Sequence, residues 1–390
     1  MSNWPAIWAI YAGGLVAGAY MTKVAPALPG LRDELGLTLI ESGFIATTFN
    51  LMGMLVGMLA GVLCDRFGHK RLALFGLITL SLGGGFGALA WGFWSLLVGR
   101  FLEGVGFIAF VVSAVALLNA CAATPGDRAK ALGLWSSYMP TGGTIALLAA
   151  PLLIAAWGWR GLWMALAVAA ALAAVAFARL VPVSRYGEVS SLRLVAESLT
   201  RPGNVVLALL FAFYVAQWTS IMVWLPTFLV DEHRASGGAA ALLTALFVLA
   251  NIPGNLGGGW LLARGVPRGF LVVGGATLAA LCEVGMLTDA LPAGARFALV
   301  LVFSLCAGVI PACVFAGLPV HARTPQHIGT ANGIVMQASQ IGQFLGPLAL
   351  AWIATHFGGW EASLWALLAF AAGAAACGVA IGTIENRIRS

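Results

Sequence analysis

The stretch GVLCDRFGHKR, residues 61–71, gathers Asp65, Arg66, His69, Lys70 and Arg71 into a chain of which only 9% is charged. Its surroundings have the opposite character. Residues 72–99 contain no Asp, Glu, Lys or Arg, and neither do 132–159 or 235–263. Each run exceeds the roughly 20 residues a helix needs to cross a hydrocarbon core about 30 Å thick. The 390 residues are 61% hydrophobic with a mean hydropathy of +0.97, more apolar surface than a soluble fold hides, so the runs are predicted membrane helices. The charged stretch is then a short connection at a membrane surface.

Cutting the apolar sequence at polar and turn-rich breaks gives twelve predicted spans: 5–28, 38–62, 72–92, 94–120, 130–157, 161–181, 203–228, 238–262, 269–288, 294–318, 328–356 and 361–383. An even number puts both termini on one side. Placing them in the cytosol puts Arg66, Lys70, Arg71, Arg128, Lys130, Arg179, Arg185, Arg193, Arg201, Arg264, Arg268, Arg323, Arg387 and Arg389 inside. Lys23, Arg32, Arg160, Arg234 and Arg296 then lie outside, a bias that fixes this orientation. The opening MSNWPAIWAIYAGGLVAG has no basic start and runs on as a full span, so it is expected to be retained rather than cleaved. Cys64, Cys121, Cys282, Cys306, Cys313 and Cys377 form no CxxC pair and read as small buried hydrophobes, so neither a metal site nor a cofactor is expected.

The longest connection, 182–202, falls in mid-chain as a cytosolic linker, and its SSLRLVAESL segment has the spacing of a short amphipathic surface helix. The sequence also repeats itself 201 residues on. NLMGMLVG from Asn50 aligns with NIPGNLGG from Asn251, Gly68 falls on Gly269, and Gly158-Trp159 falls on Gly359-Trp360. Six spans repeated in the same orientation is an arrangement of transporters built from parallel halves.

With that count in place, GVLCDRFGHKR resembles the loop between spans 2 and 3 of the major facilitator superfamily, approximately G-x-L-x-D-R-x-G-x-R/K-R/K. The second half keeps a remnant, LLARGVPRG at 261–269, with Val266 in the place of Asp65. GRFLEGVG at 99–106 is similar to the family's R-x-x-x-G-x-G pattern in span 4. No subfamily of this bacterial-type family is assigned. The resemblance implies an all-α membrane protein with the superfamily's fold, twelve transmembrane helices in two six-helix pseudo-symmetric bundles (1–181 and 203–390, with the linker 182–202). It implies peripheral spans 3, 6, 9 and 12, and solute:proton coupling. It also implies a conformational latch in which Asp65, with Arg66 or Arg71, meets the N-terminal end of a second-half helix near Gly329. Independently of the family, Arg66, Lys70 and Arg71 are placed to meet anionic lipid headgroups.

Deeper in the membrane, polar residues cluster at midspan: Asn50, Ser136, Ser137, Tyr138, Tyr214, Gln217, Trp218, Asn251, Gln337, Ser339, Gln340 and Gln343. Of these, Asn50, Tyr138, Tyr214, Gln217, Trp218, Asn251, Gln337 and Gln340 are the candidate solute contacts; interhelical hydrogen bonding is the alternative for each. Arg100 lies about a third of the way into the bilayer, where an ionised group is expensive, and Glu103 shares its helical face. The pair is expected either to exchange a proton during transport or to tie span 4 permanently to span 5. Lys23, near the outer end of span 1, is expected to reach water by extending its chain. Glu283 is expected to stabilise an interface, and His321 and His327 to lie in loops.

No G-x-x-x-x-G-K-[ST] motif is present, so ATP drive has no support and no enzyme is expected. The function these residues point to is a secondary active transporter of the cell inner membrane, a monomer, moving a small polar solute by alternating access with protons as coupling ion. An anion is favoured because Arg100 and Lys23 are the cations within reach of a cavity. A multidrug or metabolite efflux antiporter and a transporter-like membrane sensor are the alternatives; the first lacks a midplane acid for cationic drugs and the second lacks any sizeable extramembrane domain. The expected partners are lipids, the solute and protons. The positive charge is a topology signal, not a nucleic-acid footprint.

Overall fold

A computed structural model describes residues 2–55, 57, 68–124, 127, 131, 134–135, 137–182, 192–232, 234–288, 290–322, 325–357 and 359–389. Asp65, Arg66 and Ser136 lie outside them. The described residues form helices and connections, with no strand. In chain order the helices are α1 (Trp4–Thr22), α2 (Val24–Leu35), α3 (Leu39–Thr47), α4 (His69–Ala88), α5 (Phe93–Cys121), α6 (Tyr138–Leu180), α7 (Leu192–Leu199), α8 (Pro202–Asp231), α9 (Gly237–Ala263), α10 (Arg268–Met286), α11 (Ala293–Ala307), α12 (Val309–His321), α13 (Pro325–His356) and α14 (Leu364–Arg389).

Two predicted spans are each broken into a pair of helices, and both breaks have a local cause. Pro26 has no N–H to give the Thr22 carbonyl, so span 1 divides at Lys23. Pro311 deprives Ala307 in the same way, and span 10 divides at Gly308. Conversely, spans 5 and 6 are continuous in α6 except at Gly158, whose φ of 66° and ψ of −178° turn the chain between them. Its repeat mate Gly359 has a φ of 103° and ψ of −168°, so the two halves share this left-sided turn before a tryptophan. The other proposed equivalence does not hold locally. Gly68 caps α4 with a φ of 88°, whereas Gly269 is helical and the positive φ sits at Gly265.

Among the described residues of the charged stretch, Gly68, immediately before α4, holds a position that demands glycine. From the first turn of that helix Lys70 Nζ donates to the Ala178 carbonyl at 2.9 Å, near the C-terminus of α6 where carbonyls lack helical partners and attract cations. Arg71 is exposed.

The helices divide into two compact units. Unit 1 comprises Met1–Ser190 with Leu225–Ala245. Within it α4 lies along α5 and α1 along α6, around a core that includes Phe49, Phe107, Phe110, Trp135 and Phe177. An ion pair of 2.9 Å links Arg32 to Asp231 in the same unit. Exposed Met164, Val168, Leu172 and Val175 form a stripe at helical spacing on α6, while Trp163, Ala170 and Phe177 face inward, the pattern expected of a helix between lipid and protein. Unit 2 comprises Ser191–Trp224 with Leu246–Ser390. There α10 packs against α14 and α11, and glycines Gly342 and Gly346 bring α13 against the backbone of α8.

Candidate functional site

Arg100 and Glu103 are one turn apart on α5, and the fold adds a third charge that the sequence reading had placed near water. Lys23, at the α1–α2 break, is wholly buried and its Nζ lies 2.7 Å from Glu103 Oε1. Arg100 pairs with the other carboxylate oxygen, Oε2, and all three side chains are 0% exposed. The guanidinium also donates from Nε to the Ile45 carbonyl at 3.1 Å and from Nη1 to the Tyr20 carbonyl at 3.2 Å. Those bonds tie α5 to α1 and α3, not to span 5.

Aromatic faces complete the enclosure. Lys23 Nζ sits 4.1 Å from the Tyr20 ring centroid and 4.3 Å from that of Trp163, while Arg100 lies 4.7 Å from the Phe49 ring. The fourth wall is α4, which offers Gly83, Gly84 and Gly87. A Cβ at Gly84 would strike the Tyr20 hydroxyl, and one at Gly87 would come within 2.7 Å of Trp163 Cδ1. The run GGGFG at 83–87 thus lets α4 close over the charges. Arg100 Nη2, Tyr20 Oη and Trp163 Nε1 are left without a hydrogen-bond partner inside this enclosure.

Unit 2 holds a neutral polar cluster. Tyr214 Oη donates to Asn251 Oδ1 at 3.3 Å, and Asn255 Nδ2 donates to the same oxygen at 2.7 Å. Asn251 Nδ2 donates to the Ser304 carbonyl at 2.9 Å, and the Trp218 indole to Ser304 Oγ at 3.0 Å; that hydroxyl donates in turn to the Phe247 carbonyl at 2.7 Å. Tyr214 and Ser304 are buried, whereas Asn251, Asn255 and Trp218 are half-exposed. Three of the candidates, Tyr214, Trp218 and Asn251, therefore meet in one network through Asn255 and Ser304, which the sequence reading missed. A signal for Ser304 existed, since the 201-residue register that pairs Asn50 with Asn251 also pairs Glu103 with Ser304.

The other candidates stand apart. Asn50 is buried in a 3₁₀ turn following α3 (Thr48–Asn50), its Oδ1 unpartnered. Tyr138 is half-buried and stacks on Trp135 with ring centroids 4.2 Å apart. Gln217 Nε2 donates to the Leu367 carbonyl of α14 at 3.3 Å, a structural tie. On α13, Gln340 and Gln343 are buried and Gln337 half-buried, and Gln343 donates to Ser339 Oγ at 3.1 Å.

Both histidines expected in loops are helical, His327 within α13. His321 ends α12, buried, with Nε2 3.1 Å from Glu385 Oε1, the carboxylate that also pairs with Arg268. Glu283 is wholly buried inside unit 2. A cavity of about 370 Å³ opens beside the Arg268–Glu385 pair, lined also by Gly259, Leu262, Gly265, Val266 and Ala316. None of the candidate solute contacts reaches it.

Comparison with known proteins fits this arrangement. A model of the Major Facilitator Superfamily matches residues 10–322 and 206–387. The hexuronate transporter of Bacillus subtilis (strain 168) is 26% identical over 272 residues, covering 66% of this chain and 63% of that protein. The 3-(3-hydroxy-phenyl)propionate transporter of Escherichia coli (strain K12) is 30% identical over 245 residues, 60% of this chain and 58% of that protein. The matches thus span about three fifths of each relative's length. Among solved structures, a bacterial homologue of the human lysosomal transporter Spinster, inward-facing and occupied, superposes with a TM-score of 0.79 at 18% identity, covering 97% of this chain and 93% of that one.

Proposed function

The chain belongs to the major facilitator superfamily, a multi-pass membrane protein and not an enzyme, and on that premise we propose that it is a proton-coupled secondary transporter of a small organic anion, working by alternating access. The observation that carries the coupling is the Lys23–Glu103–Arg100 cluster. Ionisable groups at membrane depth are costly, and inside helical bundles they mark ion pathways and proton relays. Because Lys23 and Arg100 are both sealed against Glu103, neither offers a cation to solute in this conformation. Solute contact falls instead to the neutral donors of the Asn251 network, with Asn255 and Trp218 at its half-exposed edge. The preference for an anion rests on the relatives, whose names specify a hexuronate and a substituted propionate. The bias of Lys and Arg supports cytoplasmic termini, as expected on a cell inner membrane, and the span count with the 201-residue repeat supports residues 1–181 and 203–390 as the two six-helix halves.

The test is uptake into proteoliposomes under an imposed proton gradient, with a hexuronate, 3-(3-hydroxyphenyl)propionate, a neutral sugar and a cationic dye as probes. Accumulation of either anion above gradient-free vesicles is expected. Uptake of the dye alone would replace this proposal with efflux of cations, and no gradient-driven movement of any probe by folded protein would refute it.

A further inference from the structure

We propose that the coupling proton is carried by Lys23, with Glu103 and Arg100 serving as fixed counter-charges; this rests on the proton-coupled reading above. The argument begins with a charge count. With every group ionised, the enclosure holds two cations and one anion, and each of the three side chains is 0% exposed. A net charge sealed from water costs several kcal/mol. The walls offer nothing to cancel it: among the described residues α1 contributes the Tyr20 phenol, α3 the Ile45 carbonyl with the Phe49 ring after it, α4 the glycines 83, 84 and 87, and α6 the Trp163 indole.

Only one of the three groups relieves the excess by changing its proton. Arginine does not deprotonate in proteins. Protonating Glu103 would leave two cations without an anion, and both carboxylate oxygens are already engaged. Release from Lys23, –NH₃⁺ to –NH₂ with the proton passing to water on whichever side the enclosure opens, leaves a neutral Arg100–Glu103 pair. The amine can still donate an N–H to Glu103 Oε1, so the loss requires no rearrangement.

The Lys23 ammonium meets opposing surroundings. Glu103 at 2.7 Å and two ring faces within 4.3 Å favour it, while burial and the Arg100 guanidinium disfavour it. Position matters as well. Lys23 occupies the break before Pro26, where the main chain lacks a helical hydrogen bond and can bend, while Arg100 and Glu103 are fixed within α5. A hinge movement there alters the surroundings of Lys23 and leaves the other two in place.

The chain has three lysines, Lys23, Lys70 and Lys130, so the proton can be followed directly. Wild-type protein labelled with ¹³C at lysine Cε, in lipid nanodiscs, gives three resonances, and the one lost in Lys23→Arg belongs to Lys23. The expected result is that this resonance changes charge state over the pH interval in which transport changes. A resonance held in one charge state across that interval overturns the proposal; the titration is read on wild-type protein, and Lys70→Arg and Lys130→Arg identify the other two resonances should Lys23→Arg not fold. In vesicles, a pH gradient of one unit drives about tenfold accumulation per coupled proton. Lys23→Met is expected to lose that gradient-driven accumulation while exchanging labelled for unlabelled anion at a rate that no longer depends on pH. Gradient-driven accumulation by Lys23→Met with the wild-type pH profile overturns the assignment to Lys23 but leaves proton coupling intact. Absence of gradient-driven accumulation in wild type removes the coupling reading and this inference with it.

Discussion

Replacing Glu103 with Gln removes the only negative charge that the described residues place in an enclosure containing two cations. Its carboxylate accepts from Lys23 on one oxygen and from Arg100 on the other, and water reaches none of them. Breaking a buried ion pair by deleting one partner costs about 3–5 kcal/mol because the surviving charge stays buried. Here Arg100 loses its counter-ion outright and Lys23 either stays charged beside it or gives up its proton, so about 3–5 kcal/mol is expected. That corresponds to a fall of roughly 4–6 °C in apparent melting temperature for a chain of this length. Thermal unfolding of purified protein in one detergent, followed by loss of monodisperse material, measures it. A double-mutant cycle isolates the cause. Lys23→Met alone removes a charge from a site with one cation too many and is expected to be nearly neutral. In the Glu103→Gln background it removes a group left without its counter-ion and is expected to restore about 1–3 kcal/mol. Glu103→Gln melting within about 1 kcal/mol of wild type, or Lys23→Met acting equally in both backgrounds, would falsify the charge count.

Asn251→Ala deprives Tyr214, Asn255 and the Ser304 carbonyl of a shared partner, so KM for the transported anion is expected to rise about tenfold, with a stability loss of about 1–3 kcal/mol. Uptake kinetics beside a melting curve separate the two effects, and an unchanged KM would place solute elsewhere. Gly254→Ala directs a Cβ into the Leu305 carbonyl and is expected to cost about 1–3 kcal/mol, whereas Gly257→Ala meets nothing within 4 Å and should stabilise the helix by up to about 1 kcal/mol. Equal melting temperatures for the two would contradict the close crossing of α9 and α11. At an exposed contact, the Arg160 guanidinium, with the Trp159 indole, holds the Glu34 carboxyl below its ordinary value of 4.5. The folded form is then the stronger acid, so this contact's stabilisation is complete above the ordinary carboxylate pKa and disappears as pH falls through the lowered one. Both partners are more than a third exposed, so the effect is small. Melting curves from pH 6 to pH 3 should show a decline that Glu34→Gln flattens.

The helices were legible because crossing a membrane is a local property. Length without charge located α4, α5, α8, α9 and α10 within a few residues, and the glycine before each tryptophan at 158–159 and 359–360 marked turns that the backbone adopts. Pro26 and Pro311 were visible, but that each would split a span one turn upstream depends on which carbonyl loses its donor. The site was legible only in part. Arg100 and Glu103 share a helical face and their pairing followed from spacing, and Tyr214, Trp218 and Asn251 were marked as polar residues in apolar helices.

By itself the sequence determined that this chain is a bundle of membrane helices, since insertion depends on the hydrophobicity and length of each segment taken alone. Where the charges end was decided by tertiary structure. Lys23 stands 80 residues from Glu103, at a position from which its chain had a plausible route to water, and it lies instead between the Tyr20 and Trp163 rings. His321 and Glu385, 64 residues apart, meet for the same reason. A buried charge must be neutralised by whatever packing places within reach, and that depends on helices distant in sequence. The sequence already set the candidate chemistry apart from GVLCDRFGHKR, at Arg100 and Glu103, and the fold adds Lys23 to that pair and closes the three under Gly84 and Gly87 of α4.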